Sequence, residues 1–248
     1  MIAIIGDIHG NFYCVKKLID KILKKYKINK IIFLGDLIDR GDSSKEVINL
    51  AMELERDYNL ILILGNHEDM MLDYVFNKGN YSDNVWFENG GYNTVKSFSE
   101  ILYNNVYFGW EDIRDELKII CEKELDFIKK AKLYYVEKIK NTNFFFSHGG
   151  IEFFDISPYK QPEKDSYIWA REVDNFSEKL DNFIFVHGHT PVFFLNKGIE
   201  GEPFINKNEN GEIISINIDT GCTYGGPLTA MILDNINGEF EFLMEKWR

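Results

Sequence analysis

The sequence predicts an α/β fold in which strands and helices alternate. Two observations carry that prediction. Short apolar runs at 2–5, 31–34 and 60–64 are separated by segments of helical periodicity. Further apolar runs at 143–147, 183–186, 213–218, 228–233 and 240–244 gather strands in the second half. At 248 residues and 45% hydrophobic, the chain is large and apolar enough for one compact unit spanning 1–248.

In chain order, residues 2–5 read as a buried strand. Asn11 stands where a helix cap is expected, ahead of Phe12, Val15, Leu18, Ile19 and Ile22 on one helical face. After the strand at 31–34, Ser43 and Glu46 have capping-box spacing, and Val47, Ile48, Leu50, Ala51 and Leu54 follow helically. The strand at 60–64 leads into a mainly helical insert at about 69–140. Within it, Ile113, Leu117, Ile120 and Cys121 share a helical spacing, and a loop is expected at Asn89-Gly90-Gly91. The acidic stretch 111–126 reads as a solvated helix face. Asn210-Gly211 and Asn237-Gly238 mark hairpin turns between later strands.

Composition excludes several classes. The balance of 28 Lys+Arg against 40 Asp+Glu gives a net charge of -12, which argues against nucleic acid held by bulk electrostatics. No apolar run reaches the roughly 18 residues needed to span a bilayer, and residues 1–7 lack the pattern of a secretory signal. The three cysteines, Cys14, Cys121 and Cys222, are far apart and form no CxxC, so free thiols in a reducing cytoplasm are expected.

The chemistry is concentrated in five polar clusters, each directly after an apolar strand. They are Gly6-Asp7-Ile8-His9-Gly10, Gly35-Asp36-Leu37-Ile38-Asp39-Arg40-Gly41, Gly65-Asn66-His67-Glu68, Ser147-His148-Gly149-Gly150 and His187-Gly188-His189-Thr190. Ligands of open α/β sheets bind beyond the carboxyl ends of strands, and all five histidines of the chain fall there. Carboxylates, imidazoles and an amide form the mixed O/N set that suits manganese, iron or zinc rather than a thiolate site. Asp7 and His9 are two apart, so an extended segment would project both to one side. Two cations about 3.5–4 Å apart could clamp a phosphoryl group and activate a water. They would supply the positive charge that an acidic chain lacks. One such cluster is as easily an ordinary turn; five in series are not.

In this order, GDxHG, GDxxDRG, GNHE, HGG and GHT resemble the phosphoprotein phosphatase family of calcineurin-like metallophosphoesterases, most closely its compact bacterial and phage serine/threonine phosphatases. The resemblance implies a four-layer α/β/β/α sandwich with two mixed β-sheets. It implies that Asp7, His9 and Asp36 hold one metal, that Asp36 bridges to a second, and that Asn66, His148 and His189 complete the second. A bridging hydroxide would attack phosphorus in line. Arg40 and Arg171 match phosphate-gripping arginines, whose planar forks suit phosphate oxygens. His67 matches a general acid and Asp39 its carboxylate partner. The implied cofactors are two divalent ions, manganese first, with iron or zinc also compatible.

Position 191 is Pro191, so the GHxH ligand of the wider superfamily is absent and His187 reads as a supporting neighbour of the site. Trp86, Asn89, Gly90 and Gly91 resemble a segment of the phage enzymes. Trp86 reads either as part of a substrate groove or as a buried helix cap. Asp219-Thr220-Gly221 reads as a strand-end turn without chemistry. The expected activity is a phosphomonoesterase acting on phosphoserine and phosphothreonine. The alternatives are a symmetrical diadenosine tetraphosphate hydrolase or a cyclic-nucleotide phosphodiesterase; Glu68, where symmetrical tetraphosphatases commonly carry Asp, leans towards the protein phosphatase. A non-catalytic binding module would have lost ligands, and none is lost. Substrate choice is expected to lie in the insert and in the loop 152–165.

Overall fold

The structure is a computed structural model that describes residues 1–107, 109, 112–195 and 198–246. Its first sheet has strand order β10-β9-β1-β2-β3, from β1 (Ile2–Ile5), β2 (Lys30–Phe33), β3 (Asn59–Leu62), β9 (Pro227–Leu233) and β10 (Phe240–Lys246). β1, β2 and β3 are parallel, and β9 and β10 continue the sheet antiparallel. The second sheet has order β4-β5-β6-β8-β7, from β4 (Tyr134–Ile139), β5 (Thr142–Ser147), β6 (Phe183–His187), β7 (Phe204–Lys207) and β8 (Ile213–Asn217). β5, β6 and β8 are parallel, with antiparallel edges.

The apolar runs are continuous because both faces of the central strands are buried. In β1, Ala3 and Ile5 face α1 (Phe12–Lys25) and α2 (Ser44–Asp57) through Cys14, Val15, Leu18, Val47 and Ile48. Ile2 and Ile4 face the other sheet, meeting Phe144, Phe146, Val186, Ile216 and Ile218. Period-2 alternation therefore persists, hidden by both faces being dry. On the far side of the second sheet, Phe145, Phe183 and Phe185 pack against Tyr167, Ile168 and Val173. That outer layer is mostly loop and a single turn of helix, Asp165–Ile168, so the fourth layer of the sandwich is thin.

Several elements differ from the sequence reading. The helical insert ends earlier than 140: α3 (Asn66–Phe76), α4 (Asp83–Trp86), α5 (Tyr92–Phe98), α6 (Glu100–Tyr107), α7 (Arg114–Ile120) and α8 (Glu122–Ile128) are followed by strand β4. β4 is a half-buried edge strand whose Tyr135 and Glu137 engage Lys30, so its apolar and polar residues show no clean period. β7 is a four-residue edge strand broken by a bulge at Asn206/Lys207. Both escaped notice because edge strands need little continuous apolar sequence.

Asn11 and Ser43 do occupy N-cap positions, but neither side chain bonds its helix. The Asn11 amide instead donates to the carbonyls of Ile8 and His9, holding the first polar cluster. Ile113, Leu117 and Cys121 are buried as their spacing requires, whereas Ile120 is 40% exposed. Along the acidic stretch, Glu111 lies outside the described residues and Glu124 is buried; Glu116 and Glu122 are exposed. Both Asn-Gly turns are hairpin turns, with φ of +78° at Gly211 and +82° at Gly238. Among the described residues no helix is long and apolar enough to cross a membrane.

Phe146 is fully buried between the sheets. Phe146→Ala should lower the unfolding free energy by about 3–5 kcal/mol in urea titration. A loss below about 1 kcal/mol would contradict a dry seam between the sheets.

Candidate metal and phosphoryl site

The polar clusters follow β1, β2, β3, β5 and β6 and converge at one end of the sandwich. The first two loops are laced together. The N–H groups of Ile8 and His9 donate to the Asp36 carbonyl at 3.1 and 2.8 Å, Gly10 donates to Leu37 at 2.8 Å and Gly41 to His9 at 3.1 Å. His9 is not in extended backbone, as the two-residue spacing from Asp7 suggested: its φ is +48°. Eight non-glycine residues are described with positive φ, and five of them are His9, Asp36, Asp39, Arg40 and His189. Such backbone costs on the order of 1–3 kcal/mol per residue and persists only where the surroundings enforce it.

Asp36 is the centre of the site. One carboxylate oxygen accepts the His67 N–H at 3.2 Å and faces His148 Nε2 at 3.3 Å. The other faces His9 Nε2 at 3.5 Å and His67 Nε2 at 3.8 Å. Two groups of donor atoms could each hold a cation: His9, Asp36 and His67, and Asp36, His148 and His189. Asn66 Oδ1 lies 3.0 Å from both His148 Nε2 and His189 Nδ1. The first group has His67 where the family resemblance puts Asp7. Asp7 sits beside the second: its Oδ2 accepts the His189 N–H at 3.0 Å.

Two buried atoms here, Asp7 Oδ1 and His189 Nε2, have no hydrogen-bond partner. An unpaired carboxylate oxygen and an unpaired imidazole nitrogen in the interior are costly, and both are cation donors. A β-carbon on Gly188 would run into Asp7 Oδ1, and one on Gly65 into Asp36 Oδ1, so the space around these oxygens depends on glycine. The imidazoles are oriented from behind. His9 Nδ1 donates to Ile38 O at 2.9 Å and His148 Nδ1 to Leu34 O at 2.7 Å, which turns each Nε2 towards Asp36. The residues present thus fit hard or borderline divalent cations.

The electrostatics follow from crowding acids in the interior. Burial and the neighbouring Asp219 carboxyl hold Asp7 well above the usual carboxylate range. Burial alone would raise Asp36 too, but His148 and His67 outweigh it and keep Asp36 ionised. Burial would lower His148, yet Asp36 and Asp7 push it up to about 10. Burial depresses His9 and His189, the latter further through His148 and Arg171.

His67 and Asp39 form the expected pair, with Nδ1 2.7 Å from Asp39 Oδ2. Asp39 is fully buried and heavily supported: Thr94 Oγ1 donates at 2.6 Å and Trp86 Nε1 at 3.0 Å. Trp86 is 1% exposed, so of its two readings the buried one holds, with a purpose the sequence did not reveal. The Asn89-Gly90-Gly91 segment is a kinked helical passage at 87–91 rather than a plain loop. Gly90 has φ +107° and its carbonyl accepts the Arg40 N–H at 3.3 Å.

Arg40 Nη1 lies 2.7 Å from His9 Nε2, and its guanidinium is 5.5 Å from the centre of the Tyr224 ring. Arg171 is exposed and its Nη1 donates to Thr190 Oγ1 at 2.8 Å. His187 points elsewhere: its Nε2 meets Asp174 Oδ1 at 3.0 Å, within a network that includes Ser215 and Asn217.

Two carboxyls at the site went unassigned from sequence. Glu68 receives the N–H groups of Asp36 and Leu37 at 2.8 Å each and of Gly65 at 3.1 Å. Burial and Asp36 push it up to about 7. Its only signal was its place in GNHE. Asp219, buried at the end of β8, accepts the Gly221 N–H at 3.0 Å and is raised by burial to about 6. Nothing in its sequence context distinguished it from a turn residue.

This geometry, on this sandwich, defines a hydrolase of phosphate esters. The model of the calcineurin-like phosphoesterase family matches residues 1–212, and the chain belongs to that family. Among curated relatives, the bis(5'-nucleosyl)-tetraphosphatase PrpE [asymmetrical] of Oceanobacillus iheyensis is 28% identical over 92% of this chain and 87% of its own length. The protein of the same name from Bacillus subtilis is 28% identical over 91% and 88%. A serine/threonine phosphatase from Saccharomyces cerevisiae shares the fold, with TM-score 0.56 and 17% identity over 99% of this chain and 79% of that one.

His148 is raised from 6.5 to about 10, Glu68 from 4.5 to about 7 and Asp219 from 3.8 to about 6. Each binds its proton more tightly when folded, so each contributes stability at low pH that is lost as pH rises through the folded value. In chelator, Tm should therefore fall between about pH 7 and 9, where His148 dominates. Saturating manganese should abolish the fall, because its ligands must be deprotonated. A chelated protein that gains Tm over that range would contradict the assignment.

Glu68→Gln leaves one carbonyl oxygen for the four N–H donors Asp36, Leu37, Ile38 and Gly65. It should cost about 1–3 kcal/mol of stability and weaken manganese binding in calorimetry. A variant as stable as the parent would show these bonds to be dispensable.

Proposed function

We propose that the chain is a metal-dependent hydrolase of dinucleoside polyphosphates, with diadenosine tetraphosphate as the substrate to test first. The observation that carries a hydrolase is the buried set of Asp7, His9, Asp36, Asn66, His148 and His189, with two donor atoms unpaired and a guanidinium on either side. Phosphoserine and phosphothreonine, the leading expectation from the motifs, give way to the former alternative because the relatives matched along nine-tenths of the chain are named for nucleosyl tetraphosphates. Those names specify asymmetrical cleavage, where the sequence reading weighed the symmetrical enzyme.

Divalent cations held by these six residues, manganese in the first instance, would draw electrons from the phosphoryl oxygens and make hydroxide available at neutral pH. The remaining roles belong to the chain's own groups. Arg40 and Arg171 grip non-bridging phosphate oxygens from the two rims of the site. Asp39 fixes the His67 ring through Nδ1, so that Nε2 is presented to the leaving oxygen. A nucleotide leaving group departs as a phosphate and requires less protonation than an alkoxide.

Rates on diadenosine tetraphosphate, a phosphoserine peptide and phenyl phosphate, with manganese present, test this. The dinucleotide should be preferred over the peptide by at least about tenfold in kcat/KM, with AMP and ATP as products. His67→Ala should slow the phosphopeptide by about 10²–10⁴ and the dinucleotide by less. Preference for the peptide would restore the protein phosphatase reading, and ADP as sole product would restore symmetrical cleavage.

A further inference from the structure

Tyr224 and Phe194 are large aromatic residues left 53% and 62% exposed at the edge of the site. They are not isolated. The Tyr224 ring centre lies 5.5 Å from the Arg40 guanidinium and 6.3 Å from the Phe194 ring centre, the two rings being edge to face. Phe193 supports both rings, at 4.4 Å from Phe194 and 5.5 Å from Tyr224.

The three rings come from two short turns, Val192–Phe194 and Cys222–Tyr224, that are tied to the site's own framework. Val192 N–H donates to the carbonyl of buried Asp219 at 2.9 Å, and Cys222 is buried. Gly221, at φ +77°, leaves room for Phe193: a β-carbon there would lie 2.7 Å from the ring. The result is a braced cluster of rings, two of them exposed, in contact with Arg40 through Tyr224.

A ligand that fills both parts must carry a phosphate at one end and a flat, weakly polar ring system at the other. We infer that Phe194 offers its ring face to one nucleobase of the substrate, with Tyr224 packed edge to face against it, while Arg40 holds the adjoining phosphate. Aromatic faces bind every base by stacking, with little sequence preference. The Phe194 ring therefore selects a nucleotide over a phosphopeptide without dictating which base. The choice of a nucleotide rests on the dinucleoside polyphosphate reading above.

Calorimetric titration of the manganese-loaded protein with AMP and with ribose 5-phosphate tests the base, since both carry the same 5-phosphate on ribose and ribose 5-phosphate has a hydroxyl where AMP has adenine. AMP should bind about tenfold more tightly. Phe194→Ala should remove most of that gap, and Phe194→Trp should retain it. Equal binding of the two ligands by the parent, or a gap that survives Phe194→Ala, overturns stacking on Phe194. The readout needs no turnover. A protein that shows the AMP gap yet leaves diadenosine tetraphosphate intact would keep the stacking and refute the proposed substrate; one that cleaves the dinucleotide without the gap would do the reverse.

Discussion

Everything at the catalytic end depends on keeping one carboxylate, Asp36, ionised and fixed inside the protein. Burial opposes this, and His148 and His67 overcome it. The fixation is more instructive than the charge. The Asp36 N–H goes to Glu68, its carbonyl accepts two N–H groups from the first loop, and its side chain accepts the His67 N–H. Its backbone, at φ +51°, is tolerated because those bonds over-determine it. His148 arrives from the second sheet and bonds Leu34 O in the first, so the same constellation that surrounds Asp36 also fastens the two sheets together. Local distortion of this end is therefore resisted by the whole sandwich.

The acidic character of the chain takes on a different meaning around this centre. Asp7, Asp36, Glu68 and Asp219 are all buried within one neighbourhood, and three of them are held above their ordinary range. A potential that raises His148 to about 10 is one that attracts cations. The net charge of -12 thus bears on how a cation is drawn in. Arg40, beside His9, and Arg171, bonded to Thr190, add positive charge at the border of this acidic neighbourhood.

How much of this could be read from sequence depended on whether a residue's neighbours in the chain were also its neighbours in space. The clusters after β1, β2 and β3 are local, and parallel pairing in register brings their ends together, so His9, Asp36, Asn66 and His67 were legible as a group. Glu68 was visible but its purpose was not, because three of its four donors, Asp36, Leu37 and Ile38, come from the loop after β2. Trp86 and Thr94 reach Asp39 across 47 and 55 residues, and no periodicity encodes such a reach. Edge strands β4 and β7 were missed for a different reason: one exposed face and a bulge erase the alternation on which strand reading relies.

The insert illustrates the consequence for specificity. Substrate choice is expected from the sequence to lie in this mainly helical insert and in the loop 152–165. Within the insert, residues 86–94 are tied to Asp39 and Arg40: Trp86 and Thr94 hold Asp39, Gly90 receives the Arg40 N–H, and Asn93 donates to the Arg40 carbonyl. Gly91 lies so close to the Trp86 indole that a β-carbon would fall 2.7 Å from it. A substitution in this segment would therefore be felt at Asp39 and at Arg40, whereas Tyr224, beside Arg40, and Phe194, against Tyr224, stand exposed on turns outside the insert.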